Sequence, residues 1–285
     1  MILVSGTKRS GTSMWMQILR MAGFPVWGDA FPRDWGQSIR AANPRGFFES
    51  SLRRGVYSKT NPDPRTGLFL SPRTTRRLAV KVFARGIVRT ERAYLDHVIA
   101  SMRPIAEYVR SVERLYQMER EHRARRHGTR AGLPGSEVLH MPPALEWWHH
   151  NYMLLRDAEA RRYAITFVSY DAVLRAPEQY VPRLLGKLGP CDLAAGLACI
   201  DARLRTQQCA SSTELHFEFT SAQRAAFEEL YDCVDRGLPF GAARLRAFAA
   251  IDTELAPQVA RAREALRAHR MQVHAAREAG NRKSA

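Results

Sequence analysis

The sequence predicts an α/β protein of three layers, a central parallel β-sheet covered by helices on both faces. Three observations carry this. The runs 1–5, 78–83, 97–102 and 164–169 are short, apolar and mostly continuous rather than alternating, as in strands buried on both faces. Helical stretches separate them, which is the α/β order of elements. The first run also passes through a glycine-flanked loop, Gly6-Thr7-Lys8-Arg9-Ser10-Gly11, straight into the helical segment Met14-Trp15-Met16-Gln17-Ile18-Leu19. That strand–loop–helix layout turns backbone N–H groups and a helix N-terminus toward an anion.

Taken in order, strand 1–5 leads to a helix over 12–23. Residues 60–76, with Asn61-Pro62-Asp63-Pro64 and Gly67, are rich in turn formers and read as a loop. Strands 78–83 and 97–102 precede a helix over 104–127. Residues 122–137 mix arginine, histidine and glycine and end in Gly132-Leu133-Pro134-Gly135. They read as a solvated loop, with a substrate lid as the alternative. A helix over 142–161, the strand 164–169 and helices over 177–188 and 220–235 complete the pattern. From about residue 252, Leu255, Val259 and Leu266 keep helical spacing in an Ala-, Arg- and Glu-rich stretch, an amphipathic helix expected to pack on the body. The expected organisation is an α/β domain over 1–250 and a basic C-terminal helix or tail over 251–285.

At 285 residues the chain can bury a sizeable core. Its net charge of +16, supplied mainly by arginine, favours anionic partners through forked hydrogen bonds. Nucleic acid, an acidic membrane surface, a phosphorylated cofactor and a sulfated acceptor all suit that charge, as does a plainly solvated arginine surface. Cys191, Cys199, Cys209 and Cys233 lack CxxC spacing and read as free thiols. No run approaches the ~18 apolar residues of a membrane span. The N-terminal run is too short for a signal peptide, so the expected location is cytoplasmic.

The spacing Gly6-x4-Gly11 is that of a nucleotide-triphosphate loop, but Thr12 stands where such a loop needs lysine. The cations come earlier, at Lys8 and Arg9, so the loop suits a phosphate other than the β/γ-phosphates of ATP. In Ser101-Met102-Arg103-Pro104 an arginine ends a strand, and Ser111 follows two helical turns in. Both can face one anion, although a structural ion pair explains Arg103 equally well. Gly6–Thr12, Lys81–Phe83 and Arg103 are expected to converge at the carboxyl ends of the strands.

These segments resemble the sulfotransferases that use 3′-phosphoadenosine 5′-phosphosulfate. Lys8-Arg9-Ser10-Gly11-Thr12-Ser13 is similar to their 5′-phosphosulfate loop, and Arg103 with Ser111 to their 3′-phosphate grip. Asn43-Pro44-Arg45-Gly46-Phe47-Phe48-Glu49 resembles a block of bacterial members. Phe167-Val168-Ser169-Tyr170-Asp171-Ala172-Val173-Leu174, followed by Ala176-Pro177, resembles a later block. The likeness spans about residues 1–190 and implies a P-loop nucleoside-triphosphate-hydrolase-like fold. It implies the donor 3′-phosphoadenosine 5′-phosphosulfate, the product adenosine 3′,5′-bisphosphate, a hydroxyl- or amine-bearing acceptor and no metal. Basic residues from the C-terminal part reach the nucleotide in the family, which points to Arg203 and Arg205, without the triplet R-K-G.

Lys8 or Arg9 would neutralise charge on the leaving group, since sulfuryl transfer, like phosphoryl transfer, depends on positioning and charge neutralisation. The family's K-T-H motif is matched by Lys81-Val82-Phe83: the lysine is kept and the basic histidine is missing. Other branches of the family use a glutamate as base, and the resemblance points to Glu49 of the Asn43–Glu49 block, with structural pairing to an arginine as the alternative. Lys81 either contacts the transferring group or snorkels from a buried strand. Other classes are a P-loop small-molecule kinase, disfavoured by Thr12, and a non-catalytic nucleic-acid- or anion-binding protein. The arginine run 110–130 is the best support for the last, although helix-borne charge is usually a solvated face.

Glu146, His149 and His150 share a helix with Trp147 and Trp148. The cluster has metal-ligand spacing, but an aromatic helix in the core or lining an acceptor pocket is the simpler reading. Asp171 sits like a magnesium carboxylate, and helix capping is the simpler explanation for it.

Overall fold

The computed structural model of the chain describes residues 1–31, 43–127, 139–205 and 218–282. Its sheet has five strands: β1 Ile2–Gly6, β2 Val26–Trp27, β3 Ala79–Lys81, β4 His97–Met102 and β5 Ile165–Ser169. All pairings are parallel, in the order β2-β3-β1-β4-β5. The protein is therefore α/β with a parallel central sheet. The helices are α1 Thr12–Met21, α2 Ala84–Arg89, α3 Ile105–His127, α4 Pro143–Arg161 and α5 Tyr170–Arg175. They continue with α6 Pro177–Leu185, α7 Leu193–Ala198, α8 Ser221–Asp235 and α9 Ala242–Arg282.

Strand β1 lies between β3 and β4 and is buried along its whole length, which is why its apolar residues run without alternation. Leu3 pairs across to Val80 and Val98, and these join Ile87 of α2 and Leu154 and Ala158 of α4 in one cluster. Ile2 and Val4 face the other way, into a cluster with Trp15, Ile18 and Leu19 of α1. Successive β1 side chains thus feed two separate cores. A third cluster joins α3, α4, α8 and α9 through Tyr108, Trp148, Phe227 and Phe248.

The four expected strands are present, with 78–83 trimmed to Ala79–Lys81. Several elements depart from the sequence reading. β2 is only two residues long, and α2, α5 and α7 are six residues each, too short to show a period. The helix expected over 177–188 stops at Leu185. α9 starts at Ala242, ten residues before the expected point, because its first half is core: Phe248, Ile251, Leu255 and Val259 are buried. The aromatic pair on α4 is core too, since Trp147 and Trp148 are fully buried.

The turn-rich segment 60–76 forms no helix or strand and is pinned from inside. The Asn61 amide donates to the Leu70 carbonyl (2.9 Å) and to the Tyr94 hydroxyl (2.7 Å), and accepts from the Leu70 N–H at 2.8 Å. The stretch 122–137 lies partly in α3, and its remainder from 128 onward lies outside the described residues. Cys191, Cys199 and Cys233 are free thiols, and Cys209 lies outside the described residues. Among the described residues no helix is long and apolar enough to cross a membrane.

The two halves of α9 should differ in their contribution to stability. Leu255→Ala, at a fully buried position, is expected to cost about 2–5 kcal/mol in urea unfolding. Met271→Ala, 65% exposed, should change stability by less than about 0.5 kcal/mol. Equal effects would mean that α9 is an appendage along its whole length.

Candidate functional site

At the carboxyl end of the sheet, β1 and β4 lie side by side while the helices that follow them pack on different cores. Such a switch point leaves a crevice where ligands of parallel sheets bind. The loop 7–11 fills the edge of that crevice. Gly6 has φ +142°, and a Cβ there would stand 2.3 Å from the Ser101 carbonyl oxygen. Gly11 has φ +96°, and its Cβ would stand 2.6 Å from the Tyr170 ring. Both glycines are therefore required by close approach as well as by backbone conformation.

Serines inside the loop hold its shape. Ser10 Oγ donates to the Thr7 carbonyl (2.7 Å), and Ser101 Oγ of β4 donates to the Ser10 carbonyl (2.6 Å). The Ser10 hydroxyl thus serves to hold the loop. Gly11 is the N-cap of α1, and no side chain caps that end. The first N–H groups of a helix have no intrahelical partner and carry the positive end of its dipole. Those of α1, from Thr12 and Ser13, open beside the crevice.

Arginines gather on the β4 side. Arg9, held in a left-handed backbone (φ 63°), turns its guanidinium to α3, where Nε donates to Ser111 Oγ at 3.2 Å. The loop and the Arg103–Ser111 pair, 102 residues apart at this bond, therefore form one structure. Arg103 is 4% exposed; its Nη1 reaches the Arg9 carbonyl at 3.5 Å and its guanidinium lies 4.9 Å from the Tyr170 ring centre. Its carbonyl accepts from Trp147 Nε1 at 2.8 Å, so the buried tryptophan braces it from behind.

Glu107, one helical turn on, accepts from Arg103 Nε at 3.0 Å and also pairs with Arg205. Arg205 lies 3.0 Å from Asp171 as well, and its buried Nε has no hydrogen-bond partner among the described residues. Burial, and then the neighbouring Arg103 charge, pull the Arg9 guanidinium down to about 10. Burial, and then the Glu107 charge, raise the Asp171 carboxyl above its usual range.

The other side of the loop holds a separate ion pair. Lys81, the last residue of β3, places Nζ 2.9 Å from Glu49 Oε1, 2.9 Å from the Phe47 carbonyl and 3.4 Å from Ser13 Oγ. Phe48, between the two acceptor residues, takes a left-handed backbone (φ 55°), and its neighbours on both sides reach the same ammonium. Burial lowers the Lys81 ammonium and the Glu49 charge partly restores it. Lys81 does not snorkel, and Glu49 pairs with this lysine rather than with an arginine. Lys8 instead stays on the exposed rim, with its ammonium 5.3 Å from the Tyr116 ring centre.

The remaining sequence candidates fall elsewhere. Phe83 is the N-cap residue of α2 and donates its N–H to the Arg53 carbonyl at 2.8 Å. Arg203 pairs with Asp201 on the surface and only Arg205 joins the cluster. Asp171 is not the cap of α5: Ser169 is, its hydroxyl accepting from the Ala172 N–H. Glu146 accepts from the Tyr108 and Tyr116 hydroxyls at 3.1 and 3.3 Å, and His149 Nε2 lies 2.6 Å from Arg263. Among the described residues, no group of three or more His, Cys, Asp and Glu is arranged to hold a metal. Glu107 and Tyr170 were missed by the sequence reading. The i,i+4 spacing of Arg103 and Glu107 was the available signal for the first.

Two outcomes follow from this geometry. Gly11→Ala should push the loop off Tyr170 and weaken anion binding at the α1 N-terminus at least tenfold in a titration. Separately, burial, reinforced by nearby cations, holds His149 and His150 down at about 3. In the unfolded chain they protonate near ~6.5. The unfolded state then binds more protons between those values, so their stabilising contribution is complete above about pH 6.5 and is lost toward pH 3. Replacing both by glutamine should flatten the fall in unfolding midpoint between about pH 6.5 and 5. An unchanged slope would place the acid sensitivity elsewhere. Scans against protein-family models, curated proteins and solved structures find no match to this chain.

Proposed function

We propose that the protein is a sulfotransferase that moves a sulfuryl group from 3′-phosphoadenosine 5′-phosphosulfate to a hydroxyl or amine of an acceptor. The reading includes a three-layer, P-loop-like fold and a cytoplasmic location, where free thiols stay reduced. The observation that carries it is the union of an uncapped helix start with Arg9, Ser111 and Arg103 at one switch point. An incoming anion relieves the Arg9 guanidinium, which burial and then the Arg103 charge hold down, so the donor set suits a ligand with phosphate at two positions. The orphaned Arg205 Nε adds an unspent donor to the same cluster.

When bound, the donor supplies the sulfuryl group on a phosphate leaving oxygen. The roles of the chain follow from where each group stands. The α1 N-terminal N–H groups and Arg9 bind the phosphosulfate end and offset charge on the leaving oxygen. Arg103, Ser111 and Arg205 grip the 3′-phosphate end. Lys81, beside Ser13, supplies from β3 the cation that Thr12 does not, which leaves Lys8 as an outer contact. Glu49 accepts the proton of the acceptor hydroxyl at its carboxylate, oriented by Lys81.

The test is thermal unfolding with adenosine 3′,5′-bisphosphate in the absence of magnesium. A clear rise in Tm is expected, since ligand at about 100 times its Kd adds ~2.7 kcal/mol. Arg103→Ala should lose most of that shift. Glu49→Gln should keep the shift while turnover drops at least a hundredfold, and unchanged turnover would remove Glu49 as the base. Magnesium-dependent stabilisation by ATP would instead indicate a kinase. Stabilisation by an oligonucleotide alone would indicate a binding protein.

A further inference from the structure

A second cationic feature lies outside the crevice and plays no part in the reading above. α2 and the distal part of α9 face each other across a groove of about 670 Å³, within the range of small-molecule sites. Arg85 and Arg89 line it from α2, and Arg263, Arg267 and Arg270 from α9. The spacings i,i+4 and i,i+4,i+7 put each set on one helix face. Of the ten lining residues none is acidic. The arginines of the two helices face one another across the groove with their chains exposed to solvent, and partial burial and then Arg263, Arg89 and Arg270 push the Arg85 guanidinium down. Arg263 also donates to His149 Nε2 at 2.6 Å, so the imidazole fixes the arginine without neutralising it.

The rest of the lining is His274 and the apolar side chains of Val88, Met153, Leu266 and Met271. Val88 and Met271 are 39% and 65% exposed, a cost that a purely ionic ligand would not require. None of the lining residues is Phe, Tyr or Trp, and His274 supplies the one ring, so the groove offers no row of platforms for successive stacked bases. We propose that this groove binds a single-chain anionic amphiphile, its phosphate, sulfate or carboxylate head between the facing arginines and its alkyl chain along Val88, Met153, Leu266 and Met271.

The test is calorimetric titration of the full chain with octyl and decyl phosphate below their micelle concentrations, beside inorganic phosphate and a neutral alkyl glucoside. Affinity should rise about fourfold per added methylene, the factor that corresponds to ~0.8 kcal/mol of burial. Inorganic phosphate and the glucoside should each bind at least tenfold more weakly than decyl phosphate. The double variant Arg267→Glu/Arg270→Glu should weaken decyl phosphate at least tenfold, and Met271→Asp should reduce the chain-length dependence. Both variants should keep the wild-type response to adenosine 3′,5′-bisphosphate, which separates this groove from the crevice. Affinity independent of chain length, wild-type binding by both variants, or binding only to oligonucleotide or to anionic vesicles would each overturn the proposal.

Discussion

The Ser101 hydroxyl on the Ser10 carbonyl, together with the missing side chain at Gly6, lets the loop after β1 lie directly on the end of β4. Much of the crevice depends on that approach. The bond itself contributes only about 1 kcal/mol net, but a buried carbonyl left without it would cost more. Because the loop is held there, the left-handed turn at Arg9 aims its guanidinium at α3 rather than at solvent. The β1–β4 register does the same for the backbone, since Gly6 stands opposite Ser101. Parallel pairing thus fixes the position of a side-chain contact that closes across a sequence separation of 102 residues.

The charges around the loop are unevenly balanced. On the β4 side, Arg9, Arg103 and Arg205 meet two carboxylates, Glu107 and Asp171. On the β3 side, Lys81 and Glu49 balance each other. Buried ion pairs are weak contributors to stability and are often replaceable by apolar residues. Four such groups, Arg103, Glu107, Lys81 and Glu49, all under a tenth exposed, stand at the carboxyl end of this parallel sheet. One flank has a cationic surplus, and the other has a balanced ion pair beside the start of α1.

Much of this was legible in the sequence because strand burial and the glycine spacing are local signals. The run 97–102 matches β4 residue for residue, and Ser111 lies on the helix that follows it, bonded to Arg9 of the loop. What was not legible depends on tertiary placement. Glu107 becomes a bridge only because Arg205 arrives from a segment 98 residues away. Lys81 is set apart from a snorkelling lysine only by the fold of Phe47–Glu49 over the end of β3. The start of α9 was misplaced because its first turns carry arginines among the apolar residues, and burial against α4 and α8, not periodicity, makes them core.

The position of Lys81 has a wider consequence. A nucleotide-triphosphate loop carries a lysine directly after its second glycine, where this chain has Thr12, so there the backbone cradle and that charge are inherited as one short string. Here the ammonium beside Ser13 comes from a strand 68 residues further on. Cradle and charge are therefore separable traits: either can change in a descendant sequence without altering the other. A short consecutive pattern would record the cradle with Lys8 and Arg9, while the Lys81 charge would surface as covariation between position 81 and its contacts at 13 and 49.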